Sequence, residues 1–241
     1  MSKQLTTRDI AAMIDHSILK PSSTLDELAA GLELAKQYET ASCCVRSMDV
    51  ARTAEALAGT NVLVCTVIGF PHGVCPTEVK VFEANRAMDD GAVELDMVLP
   101  VGMLKSGEYA YVEQDIGAIV DAAHARQAIV KVILENYDLT DEEKIRACKI
   151  CEQVGADYVK TSTGFAGGGA TLADVRLMRR TCGPQVAVKA AGGIRTLEDV
   201  LQYRAAGATR IGTSSTQAIL EQAAQWEQTG RLKEWEEDEI T

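Results

Sequence analysis

The chain has 241 residues, 46% of them apolar, and 24 Lys and Arg against 35 Asp and Glu give a formal charge of −11. That length and composition suit one soluble domain, since α/β barrels fill about 250 residues as a single unit. The acidic balance argues against nucleic acid and anionic membrane as main partners, because both demand a basic face. No apolar run approaches the roughly 20 residues that span a bilayer, and the polar N-terminus lacks a targeting segment. Seven scattered cysteines suit a reducing cytoplasm better than a disulfide framework.

In chain order, β-branched apolar runs fall at residues 14–19, 42–45, 63–68, 93–99, 129–134, 158–161, 186–190 and 210–212. Their spacing of about 20 to 35 residues is that of a βα unit, and most read as apolar on both parities, as expected of parallel strands covered on both faces. Between them, Thr140 and Glu143 form a capping box that opens a helix, and Thr196 with Asp199 makes a weaker version. Gly91, Gly155 and Gly207 each end a helix just before the next strand. Cys148 and Cys151 lie one turn apart inside an amphipathic helix with no second Cys pair near in sequence, so a structural role is the expectation. No linker divides the chain before an acidic tail from about Glu234. The expected architecture is α/β: one (β/α)₈ TIM barrel over residues 1–241, with a doubly wound open sheet as rival.

In a barrel, function sits at the C-terminal strand ends. There the sixth strand carries Lys160 and the seventh Lys189, each in an apolar run just before small residues. Burying an ammonium is costly, and desolvation or a second nearby ammonium favours the neutral amine, which attacks carbonyls to form Schiff bases. One such lysine is ordinarily a snorkelling or paired charge, whereas two at matching depth point to chemistry. Asp96, on the fourth strand between apolar neighbours, is a candidate for proton transfer. Lys131 on the fifth is either a further inward charge or a carboxylate's salt-bridge partner.

Glycine-rich turns follow the last two strands: Gly192 and Gly193 before Arg195, then Gly212 before Ser214 and Ser215. Loops at these positions of a barrel commonly hold a phosphate on backbone N–H groups. The two serine hydroxyls either add donors or cap the helix. Gly164 and residues 167–169 form another glycine-rich loop, a lid or a long turn. Metal chemistry has little support: His16, His72 and His124 lie far apart in sequence, although His16 and His72 fall near strand ends that could meet in space. No nucleotide-binding glycine fingerprint opens a helix.

These motifs together resemble the 2-deoxyribose-5-phosphate aldolases, class I aldolases of the (β/α)₈ fold. The resemblance rests on D-H-S-I-L-K-P (residues 15–21), C-T-V-I-G-F-P (65–71), E-L-D-M-V (94–98), K-V-I-L-E (131–135), V-K-T-S-T-G-F (159–165), V-K-A-A-G-G-I-R (188–195) and R-I-G-T-S-S (210–215). It implies Lys160 as the Schiff-base lysine and Lys189 as the neighbouring cation that favours its neutral form and joins a proton relay. Asp96 becomes the proton-transfer carboxylate, working with water. The implied substrate- and phosphate-binding set is Asp15, Cys44, Lys131, Thr163, Gly164, Gly192, Gly193, Arg195, Gly212, Ser214 and Ser215. The implied reaction is reversible cleavage of 2-deoxy-D-ribose 5-phosphate to D-glyceraldehyde 3-phosphate and acetaldehyde, with no metal and no cofactor. Partners are then a small phosphorylated sugar and short aldehydes, and the helices leave room for a homodimer or homotetramer.

Four features depart from that family's pattern. Val45 is followed by Arg46 and Ser47 where V-N-P is usual, and the loop from Phe70 to Pro76 carries His72 and Cys75. Phe165 stands where some members have a phosphate-binding lysine, which shifts load to Arg195 and backbone donors. No terminal tyrosine is present. The departures motivate a rival reading, an aldolase of the same fold acting on a different short phosphorylated sugar. More distant rivals are an isomerase or epimerase using Asp96 as base, and a phosphosugar-binding protein without catalysis.

Overall fold

The computed structural model describes residues 3–236. Eight parallel strands close a barrel in sequence order: β1 (Ile14–Ile18), β2 (Ser42–Val45), β3 (Leu63–Ile68), β4 (Glu94–Val98), β5 (Ile129–Ile133), β6 (Tyr158–Lys160), β7 (Ala187–Ala191) and β8 (Arg210–Thr213). Helix α1 (Thr7–Ala11) precedes the barrel. The crossovers are α2 (Leu25–Tyr38), α3 (Val50–Leu57), α4 (Thr77–Asp89), the pair α5 (Val101–Lys105) and α6 (Tyr109–His124), then α7 (Asp141–Gln153), α8 (Leu172–Thr181) and α9 (Leu197–Ala205). After β8, α10 (Thr216–Gln228) packs on α1 and α9. Each strand edge lies within one residue of its expected place. Pairing of β1 with β8, Asp15 opposite Gly212, closes the sheet and excludes the doubly wound alternative.

Local signals act as expected. Both capping boxes are present, at Thr140 and Thr196, and Gly91, Gly155 and Gly207 take φ of 107°, 77° and 104° at their helix ends. The first residues past α10 are tied down: Leu232 is buried, Glu234 donates its N–H to Lys3 O at 2.8 Å, and Arg204 pairs with the Glu234 carboxylate at 3.1 Å. Residues 237–241 of the acidic tail lie outside the described residues.

The expectation of strands apolar on both faces is corrected by the burial pattern. Outward-facing residues such as Val45, Leu95, Met97, Val130, Val132, Val159, Val188 and Ile211 join the helices in one large apolar layer. The inward parity is different. A barrel interior usually holds branched apolar side chains, but here Asp15, Glu94, Asp96, Lys131, Lys160 and Lys189 occupy it, all buried. Cys44, Cys65 and Val67, packed with Leu19 and Phe70, form a small apolar patch inside. Alternation from outward apolar to inward charged aims the chemistry down the barrel axis.

Candidate active site

Strand register converts separate sequence motifs into one charge cluster. Asp96 is its centre. Its Oδ2 accepts from Lys160 Nζ and Lys189 Nζ, each at 2.7 Å, and its Oδ1 accepts from Lys131 Nζ at 2.9 Å. Lys189 also donates to Asp15 Oδ2, and Lys131 to Glu94 Oε2 at 2.6 Å. Arg210 closes the far side, reaching Asp15 Oδ1 at 2.5 Å and Glu94 Oε1 at 2.9 Å. Ser42 donates to Asp15 Oδ1 at 2.7 Å, and the Cys65 thiol points at Asp96 Oδ1 at 3.4 Å. All eight strands contribute a polar side chain.

Buried charges persist only when paired and hydrogen-bonded, and the cluster meets both conditions. Burial pulls Lys189 down, but Asp15 and Asp96 outweigh it and hold this ammonium well above the ordinary lysine range. Lys131 is held up against burial in the same way, by Asp96, Cys65, Asp15 and Glu94. For Asp96, burial is overcome by Lys131, Lys160 and Lys189, which keep it ionised well below the usual carboxylate range. Asp15 is likewise lowered, burial notwithstanding, by Lys189, Lys131 and Arg210. Desolvation alone would neutralise a strand lysine, but the surrounding carboxylates keep Lys189 a cation, and Lys131 is both an inward charge and the salt-bridge partner of Glu94 and Asp96.

Above the cluster lies a cavity of about 570 Å³. Lys160, Thr163, Gly164, Gly192, Gly193, Arg195, Gly212, Ser214 and Ser215 all line it, so the expected phosphate loops and the candidate nucleophile share one space. Asp15, Cys44 and Lys131 do not line it. They are fully buried beneath its floor, Asp15 and Lys131 held there by their ion pairs. Ser215 makes no capping bond to α10, and its own N–H is taken by Thr213 Oγ1 at 2.9 Å, which removes it from the expected amide donors. Gly192, at φ 92°, passes so close to Gly169 that a side chain there would collide with it. Arg195, expected among the phosphate-binding residues, is exposed at the cavity rim, and Arg210 is the fourth cation of the buried cluster.

The unusual loops have physical explanations. Arg46 pairs with Asp49 at 2.6 Å and donates to the carbonyls of Lys20 and Pro21 at 3.3 and 3.1 Å. It thereby fastens the loop that brings Lys20 and Ser23 to the cavity wall. Phe165, in the lysine position, stacks edge-to-face on Phe70 at 5.3 Å and supplies an apolar flank. Residues 167 and 168 pack against the Tyr137 ring and Gly169 against Gly192, so this loop is a packed turn. Pro71 and His72 line a smaller cavity of about 110 Å³ with Glu135.

The histidines do not meet. His16 lines the main cavity and bonds Thr216 Oγ1 through Nδ1 at 2.8 Å, His72 lines the smaller one, and His124 bonds Asp157 at 2.9 Å. Cys148 and Cys151 are buried in α7 as free thiols, the structural role expected, with Cys182 hydrogen-bonded to Cys148.

Sequence reading missed Glu94, Arg210, Ser42 and Cys65. Glu94 had a signal: it shares parity with Asp96 on one strand. Arg210 opens β8 and reaches Asp15 only because the barrel closes, a contact across 195 positions.

A closed barrel with strand-borne amines, an ionised central carboxylate and glycine-rich turns after β7 and β8 defines a carbonyl-chemistry enzyme of the barrel aldolase class. The chain belongs to the DeoC/LacD family of aldolases, whose family model matches residues 10–222. It is 53% identical over 212 residues to the deoxyribose-phosphate aldolase of Bacillus mycoides, covering 88% of this chain and 95% of that one. Against deoxyribose-phosphate aldolase 1 of Oceanobacillus iheyensis the identity is 54%, with 88% and 96% covered. The tetrameric deoxyribose phosphate aldolase structure from Aeropyrum pernix superposes with a TM-score of 0.84 at 33% identity, covering 90% of this chain and 91% of that one. No helix among the described residues is long and apolar enough to cross a membrane.

Proposed function

We propose that the protein is a class I aldolase that reversibly cleaves 2-deoxy-D-ribose 5-phosphate to D-glyceraldehyde 3-phosphate and acetaldehyde. One observation carries this reading: Lys160 is the lysine of the buried cluster that lines the cavity, while its Nζ shares the Asp96 Oδ2 acceptor with Lys189. The Bacillus mycoides and Oceanobacillus iheyensis relatives, more than half identical over nearly their whole length, are deoxyribose-phosphate aldolases by name.

In the proposed sequence, Lys160 Nζ attacks the open-chain aldehyde carbon and water leaves, giving an iminium. Loss of the C3 hydroxyl proton to a water held by Asp96 breaks the C2–C3 bond. Its electron pair moves into the iminium, forming an enamine and releasing D-glyceraldehyde 3-phosphate. Protonation at C2 and hydrolysis then free acetaldehyde and restore the amine. Lys131, Lys189 and Arg210 balance Asp15, Glu94 and Asp96 one for one, so cluster neutrality does not depend on a proton at Lys160. Lys189 serves as the fixed ammonium of the proton relay. Gly192, Gly193, Gly212, Ser214 and Arg195 hold the phosphate, with Lys20 adding charge at the rim. A net charge of −11 is compatible with this anion, because at physiological salt charges beyond roughly 8 Å are screened.

The second reading, an aldolase for another short phosphorylated sugar, is favoured by the Arg46-fastened loop and the Phe70–Phe165 flank. Retro-aldol rates on deoxyribose 5-phosphate and on other C5 and C6 sugar phosphates separate the two. A clear preference for deoxyribose 5-phosphate is expected, and a stronger preference elsewhere selects the second reading. The free thiols suit a cytoplasmic setting. Val79 and Phe82, exposed one turn apart on α4, support self-association as a homodimer or homotetramer, and a monomer in sedimentation would refute it.

A further inference from the structure

Three donor atoms that the proposed reaction does not use together converge on the inner barrel wall. Cys44 of β2, Cys65 of β3 and Asp96 of β4 are fully buried, and their two sulfurs and one carboxylate oxygen lie within 4.8 Å of one another. Cys44 and Cys65 are direct register partners, and the Cys65 thiol already faces Asp96 Oδ1 at 3.4 Å. Among the described residues this is the one cluster of three such ligating side chains.

We propose that Cys44, Cys65 and Asp96 form a binding site for one thiophilic divalent cation of the zinc class, and that its occupancy switches the amine chemistry off. The inhibitory half rests on the part given above to Asp96; the site itself does not.

The donor set selects the ion. Two sulfurs and one carboxylate favour Zn²⁺ or Cd²⁺ over Mg²⁺ and Ca²⁺, which want oxygen ligands alone. Tetrahedral zinc with Zn–S of about 2.3 Å and Zn–O of about 2.1 Å sets its ligand atoms roughly 3.5–4 Å apart, within the span observed. All three ligands sit on neighbouring strands, so the site exists before the ion arrives.

The surrounding ammonium groups do not forbid it. Two S–H bonds break and two metal–sulfur bonds form, so two protons leave for solvent as one divalent ion enters. The formal charge of the centre is unchanged and no oxidation state alters. Lys131 Nζ, 3.5 Å from Cys65 Sγ, stabilises the thiolate so formed. The approach is from the cavity, because Leu19 both packs on this patch and lines that cavity.

Occupancy would act on Lys160 through one carboxylate. Oδ1 is the oxygen turned towards Cys65, and Oδ2 holds both Lys160 and Lys189. A cation on Oδ1 displaces Lys131 and draws charge out of the carboxylate, weakening the acceptor that positions the two amines.

The test uses the full-length enzyme, cleared of metal by a chelator and titrated with Cd²⁺ and with Zn²⁺. Native mass gives stoichiometry, ultraviolet thiolate-to-cadmium charge transfer reports sulfur ligation, and the retro-aldol rate is followed alongside. One ion per chain is expected, with the band, two protons released, and a rate lowered about tenfold or more that a chelator restores. Cys65→Val, and separately Cys44→Ser, should each weaken binding about 100-fold, so misfolding of either variant leaves the other decisive. Bound cadmium without the band, or a band undiminished in both variants and thus arising at Cys148, Cys151 and Cys182, would overturn the site. A filled site with an undiminished rate would overturn the inhibition. Since the band is read without turnover, failure of the proposed activity leaves the site to be judged separately.

Discussion

The barrel interior and the cavity rim are built in opposite ways. In the interior, charged side chains from six strands, joined by Ser42 and Cys65 from the other two, fix one another, and Asp96 alone accepts from three lysines. At the rim, the loops after β6, β7 and β8 present glycines, short hydroxyl side chains and one exposed arginine. Interior positions are over-determined, so replacing one member leaves another buried charge unpaired. The rim groups proposed to hold the phosphate are several and largely solvated, so no single side chain should carry the site. Loss of an interior group should therefore abolish turnover, whereas loss of a rim group should weaken binding.

The largest effect falls on Lys160. Lys160→Met should lower kcat by about 10⁴-fold or more with the fold intact by circular dichroism, as for loss of a covalent nucleophile; turnover within tenfold of the parent would refute its role. Lys189→Met should cost about 10²- to 10³-fold in kcat at pH 7 with KM little changed. Near-normal activity there would mean that its charge has no part in the reaction.

His16, at the boundary between the two regions, predicts a stability effect. Burial pulls its pKa down from 6.5 to about 4, so the unfolded chain binds a proton between those values and the folded one does not. Stability is full above pH 6.5 and declines as pH falls towards 4, by about 3 kcal/mol, a few hundred-fold in the folding equilibrium. His16→Gln should flatten that part of the profile in denaturant titrations, and an unchanged slope would count against it. At the rim, Arg195→Ala should raise KM about tenfold and leave kcat within twofold, and a drop confined to kcat would place Arg195 in the chemistry instead. EDTA should not lower the rate at all.

How much of this was legible in the sequence divides along the same line. Lys160 and Lys189 stood out because a lysine inside an apolar strand is anomalous wherever the strand goes. The rim glycines were legible only through the count of βα units, which placed them after the last two strands. Pairings were not legible. Asp15 meets Lys189 across 174 positions and Arg210 across 195, and both contacts exist only once β1 meets β8. The carboxylates that hold Lys189 charged were hidden in the same way, since desolvation is a property of one residue while compensation belongs to its neighbours.

The central claim is that Lys160 forms the covalent intermediate. The protein should be incubated with acetaldehyde, reduced with borohydride, digested and mapped by mass spectrometry. A single reduced two-carbon adduct on the peptide containing Lys160, absent without borohydride and absent in Lys160→Met, is the predicted result. An adduct on Lys189 or Lys131 with Lys160 unmodified, or no adduct in an enzyme that turns over, would contradict the account.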